Sequence, residues 1–378
     1  MTIVGIVRER REPEDRVAAS ADVVKRYRAQ GLEVLVEKGA GAGSAISDQA
    51  FAQAGAELAP DAASVFARAD VILKVQGPTA QEIGRLRAGQ LLVGMLDPYN
   101  RRKEVAALAE RGVTAFALEL LPRTTRAQAM DVLSSQANLA GYRAVVEAMA
   151  AYARVVPMMM TAAGTIPAAK VFVVGAGVAG LQAIATARRM GAVVTATDVR
   201  PQAKGEIESL GAKFVGYIPE DAATAGGYAR PLTPEEQKRQ AEVLADHIRS
   251  QDIVITTAQV PGRKAPRIVT REMVRSMKPG SVLLDVAVES GGNIEGSRAD
   301  KVVSVEGVRI LGPRNLPSRV APTASALYAR NLFNFLALLF PEGSEGPRID
   351  TEDELIRSTL LTHEGRVVHP DFQGGNGA

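Results

Sequence analysis

The chain has 378 residues, 46% of them hydrophobic and 23% charged, an ordinary balance for a soluble globular enzyme of two domains. Its 45 Lys and Arg nearly offset 42 Asp and Glu, interspersed as in RERREPEDR (8–16) and PEEQKRQAE (234–242), so no basic stripe argues for nucleic acid. The absence of cysteine excludes disulfides, thiolate nucleophiles and Cys-ligated metals, and no run reaches the roughly 18 uninterrupted apolar residues of a membrane helix.

The N-terminus enters a strand at once, TIVGIV (2–7), with no basic and apolar leader ahead of it, so no secretory signal is expected. Short apolar runs recur at EVLVEK (33–38), DVILKV (70–75), LLVGML (91–96) and TAFALELL (114–121). Between them SADVVKRYRAQG (20–31), TAQEIGRLRAG (79–89) and RRKEVAALAERG (101–112) read as helices ending at glycine. This alternation predicts a mostly parallel sheet covered on both faces. GAGAGS (39–44) also follows a strand but lacks a long helix behind it, and reads as a turn.

A long helical pattern runs from about Ala129 to Val156 and stops at Pro157. MMMTAAGTIPAAK (158–170) reads as a crossing between domains, with its methionines as core filler. From Lys170 the alternation restarts through VFVVGAG (171–177), VVTATD (193–198), KFVGY (213–217), DIVITTA (252–258), SVLLDVA (281–287) and VRILG (308–312). VAPTASALYARNLFNFLALLF (320–340) reads as one long helix returning to the first domain. The expectation is an α/β protein of two Rossmann-like, doubly wound parallel-sheet domains, the first discontinuous in sequence. Residues 1–135 completed by 320–378 form one, and 136–319 form a dinucleotide-binding domain.

Gly175, Gly177 and Gly180 make G-x-G-x-x-G directly after an apolar strand and opening a helix. The first glycine permits a tight turn, the second lets backbone approach a pyrophosphate, and the third lets helix and sheet pack closely. Asp198, 18 residues past Gly180 at the tip of the next strand, would accept bonds from ribose hydroxyls and repel a 2′-phosphate. That favours NAD(H), although Arg200 nearby points the other way.

Reducing a ketone or imine also requires a proton donor. His247, in AEVLADHIRSQD, reads as part of a solvated helix face, and His363 and His369 as part of a surface hairpin. None ends a predicted strand. Lys74, closing the DVILKV run, is the remaining acid–base candidate, set against a merely solvated lysine. PRTTRAQAMDVLSSQANLAGY (122–142) carries Arg123, Gln128, Asp131 and Ser134 at a turn opening into the long helix. On the residues alone two readings stand: groups that orient a carboxamide and ribose, or an N-capped helix start with a polar surface.

With these motifs the chain resembles the soluble NAD(H)-binding component (domain I, the alpha subunit or its first segment) of proton-translocating NAD(P) transhydrogenase, which shares a superfamily with alanine dehydrogenase. The resemblance spans essentially the whole chain and is most specific at RAQAMDVLSSQANLAGY (126–142). It implies that Arg123, Gln128, Asp131 and Ser134 form a nicotinamide-side set, with Gln128, Arg123 and Asp131 as the catalytic positions. It places the phosphate turn on Gly175, Ala176, Gly177, Val178 and Gly180, and the ribose acid on Asp198 with Val199 and Arg200 beside it. Gly227 and Tyr228 would tip a mobile loop, AATAGGYARP (222–231), folding over the nucleotide, and Gln240 and Gln259 would touch the cofactor. No metal is implied.

Alanine dehydrogenases carry an arginine, a lysine and a histidine at the substrate site. Arg16 and Lys74 are present here, but LDPYN (96–100), with Asp97 and Pro98, takes the histidine's place, while Asp285 is common to both branches. The resemblance therefore implies direct hydride transfer from NADH bound here to NADP+ on a partner subunit, coupled to proton translocation by a membrane-spanning subunit. Exchange between two nicotinamides needs no general acid, but it needs reacting carbons about 3–3.5 Å apart. A homodimer is implied too, peripheral at the cytoplasmic face of the membrane through its partners and not itself inserted. The competing expectations are an alanine-dehydrogenase-like enzyme and a non-catalytic NAD-sensing module.

Overall fold

Runs rich in Val, Ile and Leu build two open sheets in the computed structural model, which describes residues 1–217, 233–259, 262–341, 344 and 346–373. The chain divides into two compact units, Met1–Gln136 with Pro317–Ala378, and Ala137–Leu316.

In the first unit β1 (Ile3–Ile6), β2 (Glu33–Glu37), β3 (Glu57–Ala59), β4 (Val71–Gln76), β5 (Leu91–Met95) and β6 (Thr114–Ala117) lie parallel in the order β3-β2-β1-β4-β5-β6. Alternation along β4 sends Val71, Leu73 and Val75 into one core and Ile72 into the other. Both faces are buried, which is why the strand reads as a continuous apolar run. TAFALELL yields four strand residues rather than eight, because Leu118–Leu120 coil into a 3-10 turn at the sheet's end. TAQEIGRLRAG yields a six-residue helix, Ala80–Arg85, started by a Thr79–Glu82 capping box and ending short of its glycine.

The long helix spans Val132–Ala151, shorter at both ends than its pattern suggests, and Thr125–Met130 before it forms a 3-10 segment. Beyond it, β7 (Met159–Thr161) and β8 (Gly164–Ile166) make an antiparallel hairpin. Met158, Met159 and Met160 are 64%, 45% and 80% exposed, so the expectation of core filler is overturned. A two-stranded ribbon has no second layer to cover its side chains.

The second sheet comprises β9 (Lys170–Val174), β10 (Val193–Thr197), β11 (Lys213–Phe214), β12 (Ile253–Thr256), β13 (Val282–Asp285), β14 (Val302–Val305) and β15 (Val308–Leu311). Its order is β11-β10-β9-β12-β13-β15-β14, parallel except for β14. The chain then forms the helix Ala321–Leu339 and a hairpin, β16 (Leu360–His363) and β17 (Arg366–Val367), that extends the first sheet antiparallel to β6. Leu360, Leu361 and Thr362 are buried there, so this hairpin is part of the sheet as well as of the surface. Strand order reverses between β1 and β4 in one sheet and between β9 and β12 in the other. Ligands of doubly wound folds bind at the carboxyl ends of such strands.

Candidate functional site

At the second unit's reversal point β9 runs into Gly175, Ala176 and Gly177, followed by the helix Val178–Arg189. Gly175 has φ +99, and a Cβ there would lie 2.7 Å from Thr257 Oγ1. A Cβ at Gly180 would sit 1.8 Å from the Gly175 carbonyl oxygen, so only glycine lets the helix come this close. At Gly177 a Cβ would meet nothing within 4 Å, which leaves open space before the backbone at the helix N-terminus. These three situations fit a pyrophosphate approaching over Gly177 toward free N–H groups. Ala176 is fully buried, and Val178 is exposed.

Asp198 follows β10 directly. Its Oδ2 accepts the Ala176 N–H at 2.7 Å and its Oδ1 accepts the Arg200 N–H at 2.8 Å, tying the strand tip to the glycine turn. Beside it opens a cavity of about 290 Å³ whose lining includes Gly175, Asp198 and Val199 from the strand ends, Gln237, Gln240 and Leu244 from the helix Pro234–Ile248, and Arg267 and Ile268. Val199, Leu244 and Ile268 offer apolar walls to a flat base, while Asp198 and Gln240 offer polar ends, a suitable environment for the adenosine half of a dinucleotide. Gln240 is also a strut: its Oε1 accepts the Tyr217 N–H and its Nε2 donates to Thr197 Oγ1 at 3.2 Å.

Gln259 is exposed, donates to the Val286 carbonyl at 3.2 Å and is not part of the lining. Gly227 and Tyr228 lie outside the described residues. Sequence reasoning missed Gln237 and Leu244, although they stand at i−3 and i+4 from Gln240 and so share its helix face. Arg267 and Ile268 come from a loop without periodicity, which offered no signal.

In the first unit Arg123 and Gln128 are exposed, Gln128 on the 3-10 segment. Asp131 caps the long helix: Oδ1 accepts the Ser134 N–H at 2.8 Å and Oδ2 accepts the Ser134 hydroxyl. The capped-start reading is thus physically present for this pair. The loop is held from behind by Asn331 and Asn334, whose Nδ2 atoms both donate to the Ala129 carbonyl at 2.9 Å. Their spacing of three on one helix was the only hint of this.

The acid–base candidates are occupied elsewhere. Lys74 is 1% exposed, with Nζ 2.9 Å from Glu82 Oε1 and 3.1 Å from Glu9 Oε2, which overturns the solvated-lysine alternative. Burial opposes its charge, but Glu9 and Glu82 outweigh that and hold the ammonium above its ordinary pKa. Arg16, 5% exposed, pairs with Glu14 and donates to Gln136 Oε1 at 2.8 Å. His247 is half-buried against the sheet rather than solvated, 2.8 Å from Thr195 Oγ1 and edge-on to Phe172, and burial lowers its pKa. His363 lies 3.1 Å from Thr114 Oγ1, at the amino end of β6, and His369 caps the 3-10 turn Pro370–Phe372. Asp97 sits at φ +53 and its N–H donates to Glu119 Oε1. Burial pushes the Glu119 carboxyl up to about 7. Asp285 is fully buried and accepts the N–H groups of Ala287, Asn293 and Ile294, a structural duty.

Comparison with known proteins identifies the family. The alanine dehydrogenase/PNT N-terminal domain family matches residues 5–140, and the C-terminal domain family matches residues 144–370. The first segment of the NAD(P) transhydrogenase alpha subunit of Rhodospirillum rubrum is 50% identical over 98% of this chain and 99% of its own length. Alanine dehydrogenase of Mycobacterium tuberculosis is 32% identical over 97% and 94% respectively. A crystal structure of transhydrogenase from Sinorhizobium meliloti superposes with a TM-score of 0.89 at 55% identity, covering 97% of this chain and all of that one. From the glycine turn to the capped helix, the chain belongs to the alanine dehydrogenase/PNT family, together with NAD(P) transhydrogenase alpha subunits.

Proposed function

We propose that this chain is the NAD(H)-binding component of a proton-translocating NAD(P) transhydrogenase, passing hydride directly between NADH held here and NADP+ held by a partner subunit. The observation that carries the reading is the glycine turn tied through Ala176 to Asp198 beside an adenosine-sized cavity. Gly175 to Gly180 bind the pyrophosphate and Asp198 binds the ribose, while Arg123, Gln128, Asp131 and Ser134 serve the nicotinamide end. Gln128 orients the ring for transfer, Arg123 holds the cofactor, and Asp131 keeps the loop in register through Ser134. Gly227 and Tyr228 are assigned to nucleotide contact as well. Gln259 is a peripheral contact.

Two further observations favour this over an amino-acid dehydrogenase. Lys74 is sealed between two carboxylates, and each of the three histidines has a partner or capping role away from the carboxyl ends of the strands. Direct nicotinamide-to-nicotinamide transfer needs neither a lysine nor a histidine to carry a proton. The partners are an NADP(H)-binding subunit and a membrane-spanning subunit, with this chain peripheral at the cytoplasmic face. Among the described residues no helix is long and apolar enough to cross a membrane. A homodimer belongs to the same reading, and the exposed methionines of the β7–β8 hairpin are apolar surface that such an interface would cover.

The test is a turnover assay on the purified chain. It should bind NADH, leave it unconsumed with pyruvate and ammonia, and transfer hydride once an NADP(H)-binding partner is added. Consumption with pyruvate and ammonia by the chain alone would establish the dehydrogenase instead. Binding without transfer, even with the partner present, would establish a sensing module.

A further inference from the structure

Arg200 stands two residues beyond the ribose acid, where an arginine is the usual ligand of a 2′-phosphate in NADP-binding relatives of this fold. Here its side chain is turned away from that task. Nε donates to Asp198 Oδ1 at 3.0 Å, and Nη2 donates to the Ala176 carbonyl at 3.0 Å and to Asp198 Oδ2 at 3.4 Å. Glu206 Oε2 stands 3.8 Å from the same Nη2. One guanidinium therefore lies between two carboxylates, Asp198 and Glu206, while Arg267, which also lines the cavity, donates to the Ile294 carbonyl at 2.6 Å. The side chain is 38% exposed, so a ligand can reach it, while Asp198 is 9% exposed and held by the turn.

We propose that Arg200 is a latent 2′-phosphate ligand held out of use by Asp198 and Glu206, so that Asp198 sets cofactor choice by two separate acts. It presents its charge to the ribose edge, and it engages the cation that would otherwise recruit NADP(H). This rests on the reading of the cavity as the NAD(H) site and extends it to the residue that decides between the two cofactors. The physical basis is that guanidinium binds whichever anion lies in its plane with two parallel N–H bonds, and Asp198 occupies that edge. Removing the carboxylate frees Nε and part of Nη2. The Ala176 carbonyl keeps the side chain on the phosphate turn, so it remains next to the ribose instead of swinging into solvent.

The consequence is an epistasis that a simple repulsion model lacks. If Asp198 only repelled phosphate, its removal would admit NADPH whether or not Arg200 were present. If Arg200 is the latent ligand, most of the gain requires Asp198 absent and Arg200 retained. Dissociation constants for NADH and NADPH are to be measured by nucleotide fluorescence titration on wild type, Asp198→Ala, Asp198→Asn, Arg200→Ala, Glu206→Gln and the double variant Asp198→Ala/Arg200→Ala. Asp198→Asn keeps an acceptor for the Ala176 N–H and preserves the turn should Asp198→Ala fold poorly; it is then paired with Asp198→Asn/Arg200→Ala.

The expected result is NADPH affinity rising at least about tenfold in Asp198→Ala or Asp198→Asn, the scale of a charge-assisted contact, and losing most of that gain in the double variant, the remainder being the release of Asp198's own repulsion. Glu206→Gln alone should strengthen NADPH binding by about two- to threefold, because its contact is longer and exposed. The gain should shrink as salt is raised. Equal NADPH binding in the single and double variants would overturn the proposal and leave Asp198 as a plain electrostatic gate. Failure of the wild-type chain to bind NADH at all would instead bring down the assignment of the cavity.

Discussion

Asp131 gives both carboxylate oxygens to Ser134, whereas Gln128, three residues earlier, is exposed on a segment held from behind by Asn331 and Asn334. The cap therefore falls on Asp131, and the positioning role proposed for Gln128 would fall on a separate residue. Gln128→Asn should lower the single-turnover hydride-transfer rate by about tenfold or more while changing NADH affinity less than about threefold, since one methylene misplaces a positioning amide. Equal losses in rate and affinity would make Gln128 a plain binding contact. Glu119 offers a second residue-scale test. Its Oε2 is buried without a hydrogen-bond partner among the described residues, and burial raises its carboxyl from 4.5 to about 7. A raised folded pKa means that the folded state keeps a proton which the unfolded state has lost. Stability from this group is complete below the unfolded value and declines as pH climbs to about 7, by about 3 kcal/mol in total. Glu9, also raised by burial, adds a slope of the same sign. Denaturant unfolding at about pH 5 and about pH 8 should show Glu119→Gln losing Glu119's share of that decline. An unchanged slope would mean that the carboxyl titrates normally.

Among the elements, the strands were legible because a parallel sheet buried on both faces writes itself as short continuous apolar runs, as in β4 and β9. Short edge strands such as β3 and β14 were missed: β3 is only three residues, ELA, and β14, VVSV, is short and largely uncovered at the sheet edge. The long helix was visible from its period, but its start was set by the Asp131 cap. Its packing depends on a glycine whose role no pattern announced. A Cβ on Gly141 would fall 2.1 Å from the Ala179 carbonyl oxygen, in the first turn of the helix that follows the phosphate turn. Gly141→Ala should therefore lower unfolding free energy by about 1–3 kcal/mol, the usual cost of overpacking, and weaken NADH binding through the displaced helix start. Calorimetry with a parallel NADH titration checks both, and a fully stable variant with unchanged affinity would show that the two helices slide apart freely.

For the whole molecule, a ligand that binds the folded chain alone must stabilise it. NADH at about a hundred times its dissociation constant adds about 2.7 kcal/mol, which for a domain of this size is about 5–10 °C in the transition that reports the second unit. NADPH at the same concentration should leave that transition where it was, and an equal shift from both nucleotides would remove the case for a ribose-reading carboxylate. The sequence by itself determined the doubly wound class and the pairing of the glycine turn with the acid at the next strand tip, because each arises within a single β-α-β stretch where neighbours in the chain are neighbours in space. Tertiary structure alone decided that Lys74 is locked between Glu9 and Glu82, that His247 faces the sheet, that Met158 to Met160 are uncovered and that Arg200 folds back on Ala176. In each case the outcome is set by which side chain arrives opposite or fails to arrive, and local periodicity holds no information about partners that only folding brings together.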